Sequence, residues 1–196
     1  MGRHRKVENE ALLDAAQQIV ADRGAAHLTL DAVARDAGVS KASVLYGYKS
    51  KEALVRALVV HGLEAERARV AQMRQGLEKG LENGADSGIR ARLALVAQHP
   101  LSVDDRSVAL AIISAMGSDP ELKELGRAFF REALDDVVAT ATSRRGALLA
   151  FLALEGLRQL DYLDIKQWPR EEFEAILADL EWLLRQTPDD PLRTPC

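Results

Sequence analysis

The stretch from Leu28 to Leu54, LTLDAVARDAGVSKASVLYGYKSKEAL, constrains the chain most. Thr29 is a good N-cap residue ahead of a helix over Leu30 to Ala37, with Asp31 in the first turn where the helix dipole favours an acid. Gly38 ends that helix after two turns. Ser40 caps a second short helix from Lys41 to about Tyr46, Gly47 loosens it, and Ser50 caps a longer helix starting at Lys51. Two short helices joined by a glycine turn of three to four residues form a helix-turn-helix candidate. Val33, Ala34, Val39 and Val44 are spaced to meet in one small core, and the small Ala34 lets the helices approach closely. Lys41, Ala42, Ser43 and Tyr46 are left pointing away from it. In such a motif the second helix enters the major groove with its N-terminal residues at base edges. Lysine donates to guanine acceptors, and serine bonds to several bases or to phosphate. Ser40 and Tyr48, which flank this set, are also expected at DNA.

The rest of the chain reads as further helices. Val7 to Arg23 carries Leu12, Ala15, Ala16, Ile19 and Val20 at helical spacing, with Gly24 as its stop. Arg3, His4, Arg5 and Lys6 before it read as a flexible basic arm or as solvated charge. A fourth helix is expected from Ser50 to about Gln75, then a loop through GLEKGLENGADSG, whose Asn-Gly and Asp-Ser-Gly are loop signals. Ile89 to Gln98, Asp104 to Met116, Glu121 to Ala141, Arg144 to Leu163 and Arg170 to Gln186 complete the series, with breaks at His99-Pro100, Gly117 to Pro120 and Trp168-Pro169. The segment ALLAFLALEGLRQLDYL is apolar on almost every side, so it is buried in a core or between subunits. With the stripe Phe173, Ile176, Leu177, Leu180, Leu183 and Leu184 it suggests an antiparallel helical hairpin with excess apolar surface, on which Leu157 and Leu180 are expected to face a second copy.

Composition supports an all-α class. Hydrophobic residues make up 47% of the 196, Ala and Leu dominate, and β-branched runs are scarce. Net charge is −4, with eight Lys/Arg against seven Asp/Glu in residues 1–55, so an acidic body follows a slightly basic head. The one cysteine, Cys196, excludes an internal disulfide framework and fits a reducing compartment. MGRHRKVENEALL lacks the apolar core of a secretory leader, and the longest apolar run, Ala147 to Leu154, is far short of a membrane span of ~20 residues. A cytoplasmic location without membrane contact is expected. His61 and His99 are too isolated for a metal site, Ser107 and Ser114 lack a nucleophile elbow, and neither a cofactor nor an enzyme activity is expected.

The Leu28 to Leu54 stretch resembles the DNA-binding head of the TetR family of transcriptional repressors in order, spacing and residue type, over about residues 8–60. The sequence departs from the family pattern at Leu45, where a tyrosine is common, and at Gly47, where a bulky residue is usual. The resemblance implies a three-helix DNA-binding domain (1–52) and a helical ligand-binding and dimerisation domain (53–196). It implies phosphate contacts by Thr29 and Lys51, a recognition helix carrying Lys41, Ala42, Ser43 and Tyr46, and a homodimer through the last two helices. It also implies an operator of double-stranded DNA released by a small-molecule inducer. For an apolar inducer, His99, Leu110, Ile113, Met116, Phe130, Phe151, Glu155 and Tyr162 are the candidate contacts. The competing reading is a helical small-molecule-binding protein or enzyme with an incidental helix-turn-helix.

Overall fold

The computed structural model describes residues 2–78, 84–98 and 103–185. Among these every regular element is helical: α1 (Gly2–Arg23), a 3-10 turn (Ala25–His27), α2 (Leu30–Asp36), α3 (Lys41–Gly47), α4 (Lys51–Glu78), α5 (Ser87–Gln98), α6 (Val103–Ser118), α7 (Pro120–Ala139), α8 (Arg144–Tyr162) and α9 (Arg170–Leu184). The basic residues expected as a flexible arm lie on helical backbone, because α1 begins at Gly2. Helix α4 continues through Gly76 to Glu78; residues 79–83 of the glycine-spaced segment, and His99, lie outside the described residues.

The chain divides into two compact units, Met1–Glu66 with Leu101–Arg127 and Arg67–Pro100 with Ala128–Cys196. In the first, Leu12, Ala16, Ile19 and Val20 of α1 meet Ala32, Val33 and Ala34 of α2, Val44 of α3 and Leu54 and Leu58 of α4. Val108 and Ala111 of α6 pack against the same cluster. Each fully buried aliphatic side chain here stabilises the fold by about 1.5–3 kcal/mol. Arg56 of α4 pairs with Asp119 at 3.1 Å and with Glu121, holding the α6–α7 break beside α4.

The second unit is built on Ile89 and Leu93 of α5, Ala133 and Val137 of α7, Ala147, Ala150, Phe151, Leu154 and Leu157 of α8, and Leu177, Leu180 and Leu184 of α9. Helices α8 and α9 form the expected hairpin, drawn so close that a side chain at Gly146 would collide with the Leu183 carbonyl. Asp86, in a left-handed conformation (φ 57°), donates its N–H to the Thr140 carbonyl and accepts the Thr142 N–H, both at 2.8 Å, which ties the start of α5 to the end of α7. Leu157 and Leu180 do not face outward: both are buried inside their own chain, on the α8 and α9 faces that meet each other. The outward apolar residues are instead Leu149, Leu152, Leu160 and Leu163 along α8 and its end, and Trp182 of α9. On the helical wheel these are the positions opposite the core stripe, and the apolar count of ALLAFLALEGLRQLDYL does not reveal which of its sides the neighbouring helices take up.

Candidate nucleic-acid interface

Capping shapes the interface. The Thr29 hydroxyl accepts the Ala32 N–H at 3.1 Å, which starts α2. The helix ends in a Schellman arrangement around Gly38 (φ 68°): Gly38 N–H reaches the Arg35 carbonyl at 3.2 Å and Val39 N–H the Ala34 carbonyl at 2.9 Å. This geometry carries the chain past the core before α3 begins. Val39 is therefore 41% exposed, not one of the inward residues as its spacing suggested. The Ser40 hydroxyl then accepts the Ser43 N–H at 3.1 Å and lies 2.9 Å from the Ser43 hydroxyl, so Ser40 both caps α3 and stands on its outer edge. Ser50 repeats the device for α4, accepting the Ala53 N–H at 3.1 Å.

With Val44 anchored in the core, the remaining faces of this short helix are turned to solvent. Lys41, Ala42, Ser43, Leu45 and Tyr46 are exposed, Tyr46 by 75%. Lys41 Nζ donates to Asp31 of α2 at 2.8 Å. Thr29, Ser40, Lys49 and Lys51 are exposed beside this surface. Glu52, next to Lys51, has its carboxyl held below the usual range by backbone and Ser50 hydrogen bonds, with a smaller contribution from the Lys51 charge.

Tyr48 does not belong with these residues. It is only 9% exposed, part of the head core, and its hydroxyl donates to the Asn9 carbonyl at 3.4 Å. Burial pushes its phenol above the ordinary value. Tyr48 is the C-cap of α3, and its extended backbone (φ −131°, ψ 107°) turns the chain back toward α1. Tyr46 and Tyr48 look alike in the sequence; only the helix end between them sends one outward and the other in.

The residues expected at a ligand are spread over both units. Leu110, Ile113 and Met116 lie on α6 in the first, where Met116 packs against Gly126. Phe130, Phe151, Glu155 and Tyr162 lie in the second. Phe130 is partly exposed and meets Phe129 edge-on, with ring centroids 5.7 Å apart. The structure brings Phe151, Glu155 and Tyr162 onto one stripe of α8 and adds two arginines that the sequence reading missed. Arg158 donates to the Tyr162 hydroxyl at 2.5 and 3.1 Å and pairs with Glu155 at 3.5 Å. Buried Arg92 of α5 sits 5.8 Å from the Phe151 ring centroid. The i, i+3 and i+4 spacing of Glu155, Arg158 and Tyr162 was a usable signal; nothing in SGIRARLALVAQ separates Arg92 from Arg90. A shallow groove of about 630 Å3 opens in the head, lined by Leu13, Ser50, Ala53, Arg56, Val60 and His61 among others, and none of the expected ligand residues lines it. The described residues contain no cluster that could hold a metal ion and no helix long and apolar enough to cross a membrane.

Comparison with known proteins agrees with this geometry. A family model described as "Bacterial regulatory proteins, tetR family" matches residues 12–58, which contain the whole helix-turn-helix. A second, "Tetracyclin repressor-like, C-terminal domain", matches residues 86–185. No curated protein matches significantly. Among solved structures, a transcriptional regulator from Rhodococcus sp. Rha1 superposes with a TM-score of 0.67 at 22% identity, covering 90% of this chain and 96% of its own. A TetR family member from Streptomyces coelicolor A3 gives 0.67 at 21%, covering 88% and 97%. The multidrug binding protein EbrR, complexed with imidazole, gives 0.64 at 19%, covering 95% and 98%. With both halves matched in order and the helix-turn-helix in place, the chain belongs to the TetR family of transcriptional regulators, with a DNA-binding and a ligand-binding domain.

Proposed function

We propose that the protein is a dimeric repressor that leaves its operator when an apolar small molecule binds its C-terminal domain. The observation that carries the DNA half of this reading is the outward face of α3: Ser40, Lys41, Ala42, Ser43 and Tyr46 are exposed while Val44 is locked in the core. Thr29 and Lys51 flank that face and serve as phosphate contacts. In this division of labour residues 1–52 bind DNA and residues 53–196 bind ligand and dimerise.

Dimerisation is assigned to the exposed stripe of Leu149, Leu152, Leu160 and Leu163 with Trp182. Two hairpins related by a two-fold axis would cover this stripe as a four-helix interface. Inducer binding is assigned to the second unit at Phe130, Phe151, Glu155 and Tyr162, with Arg92 and Arg158 added as polar groups beside Phe151 and Tyr162. Support for a small-molecule role comes from EbrR, whose structures hold malachite green and ethidium as well as imidazole. A regulator of this kind works in the cytoplasm and needs neither cofactor nor catalysis.

The test is a selection from random duplexes at low salt, followed by gel shift of the enriched sequence. The wild type is expected to enrich a near-palindrome, and Lys41→Ala with Ser43→Ala to lose the shift. Adding candidate ligands to the shifted complex tests the inducer half. Enrichment of no sequence sinks the repressor reading, and ligand binding without any change in operator affinity sinks the inducer.

A further inference from the structure

We infer that Asp31 is a specificity-determining residue of the DNA-binding head, acting through its ion pair with Lys41 to suppress binding to non-operator DNA. This rests on the DNA-binding reading of α3.

Lys41 is the one cation in the sequence of α3, KASVLYG. Its Nζ lies 2.8 Å from the Asp31 carboxylate, contributed by the first turn of α2. Both side chains remain largely in water, 55% and 60% exposed, so the pair is screened and yields to a better partner. Its effect on DNA follows from charge. Non-specific affinity comes almost entirely from cations on phosphates. A lysine that carries a carboxylate beside it presents almost no net charge to a phosphate, and moving it there brings the carboxylate toward the same anionic backbone. A base edge differs, since guanine offers two neutral acceptors, O6 and N7, to a lysine. Exchanging Asp31 for guanine therefore meets less repulsion than exchanging it for phosphate. Lys41 is thereby held back from indiscriminate contact and released where the sequence supplies the acceptors. The two residues are ten apart in sequence, and the Gly38 turn brings them together.

The experiment compares wild type, Asp31→Asn, Lys41→Ala and the double variant. Each is titrated with the selected operator duplex and with a scrambled duplex of equal length, over a range of NaCl concentrations. Asparagine keeps the shape of the side chain and removes its charge. Asp31→Asn is expected to tighten binding to the scrambled duplex several-fold and to change operator binding less, narrowing the ratio between them. The slope of log K against log salt on the scrambled duplex should steepen by about 0.9, the value of one added phosphate contact. In the Lys41→Ala background the same substitution should have no such effect. Unchanged scrambled-duplex affinity and slope would overturn the assignment. So would an effect that persists at full size without Lys41, since Asp31 would then act by its own charge. A wild type that prefers no sequence defeats the DNA-binding reading as well, whereas a selective wild type with an indifferent Asp31→Asn variant defeats this inference alone.

Discussion

Tyr46 and Tyr48 show how two residues apart can mean opposite roles. Tyr46 stands 75% exposed on the outer face of α3, and Tyr48 is 9% exposed in the core. Tyr46→Ala is expected to lower operator affinity at least several-fold with the thermal midpoint nearly unchanged, as for other surface substitutions. Tyr48→Phe should leave operator affinity unchanged and cost no more than about 1 kcal/mol, because it removes only a long hydrogen bond to the Asn9 carbonyl. The raised phenol of Tyr48 has a pH consequence. Its stabilising contribution is fully present below the ordinary tyrosine pKa of about 10 and is lost as pH rises through the higher folded value. Urea titrations of wild type and Tyr48→Phe from pH 8 to 11 should therefore converge at the alkaline end. A Tyr48→Phe variant that loses the operator but keeps its stability would return Tyr48 to the interface.

At the scale of an element, α8 has two apolar faces, one packed inside the chain and one exposed and assigned to the proposed dimer interface. Leu157 is packed inside the chain and Leu152 is 56% exposed. Leu152→Glu should produce a folded monomer, read as an unchanged helical circular dichroism signal with a halved sedimenting mass. Leu157→Glu should unfold the second unit, since it buries an unpaired charge among Leu154, Leu177 and Leu180. If Leu152→Glu still sediments as a dimer, the stripe is not the interface. Gly156 lies at the centre of this exposed face, and a methyl group placed there meets nothing within 4 Å in its own chain. In the Leu152→Glu monomer, Gly156→Ala should raise stability by about 0.5–1 kcal/mol, the ordinary gain of alanine over glycine in a helix. In the dimer the same substitution should gain less, because a glycine in the middle of the face admits a close neighbour.

For the whole molecule, the proposed repressor has operator and inducer acting on one equilibrium. A dimer presents two copies of Lys41 to Tyr46, so half-sites about one helical turn apart are expected, close to 34–36 Å between centres. The proposed Lys51 phosphate contact, present twice in a dimer, should make operator binding fall with rising salt. If inducer weakens operator binding by some factor, operator must weaken inducer binding by the same factor, about 5–150-fold for a coupling of 1–3 kcal/mol. Calorimetric titration of inducer into free and operator-bound protein checks this equality. A factor of one in both titrations would mean that operator and inducer are not coupled, which defeats the inducer model.

Read alone, the sequence determined the all-α class, the helix-turn-helix and most helix ends, because each is written locally. Thr29, Ser40 and Ser50 are caps, Gly38 needs its positive φ, and Pro120 opens α7. It also located the α8–α9 hairpin by periodicity. Tertiary structure alone decided which side was taken where the apolar pattern did not single one out. It turned Tyr48 into the core, carried Val39 out past Ala34, and buried Leu157 and Leu180 while leaving Leu152 and Trp182 outside. It placed Lys41 beside Asp31 and Arg92 beside Phe151. Caps and turns act over three or four residues and leave a signature in the letters. The choice of face depends on which distant helix arrives to cover it, and a helix whose apolar residues run all round its wheel carries no record of that choice.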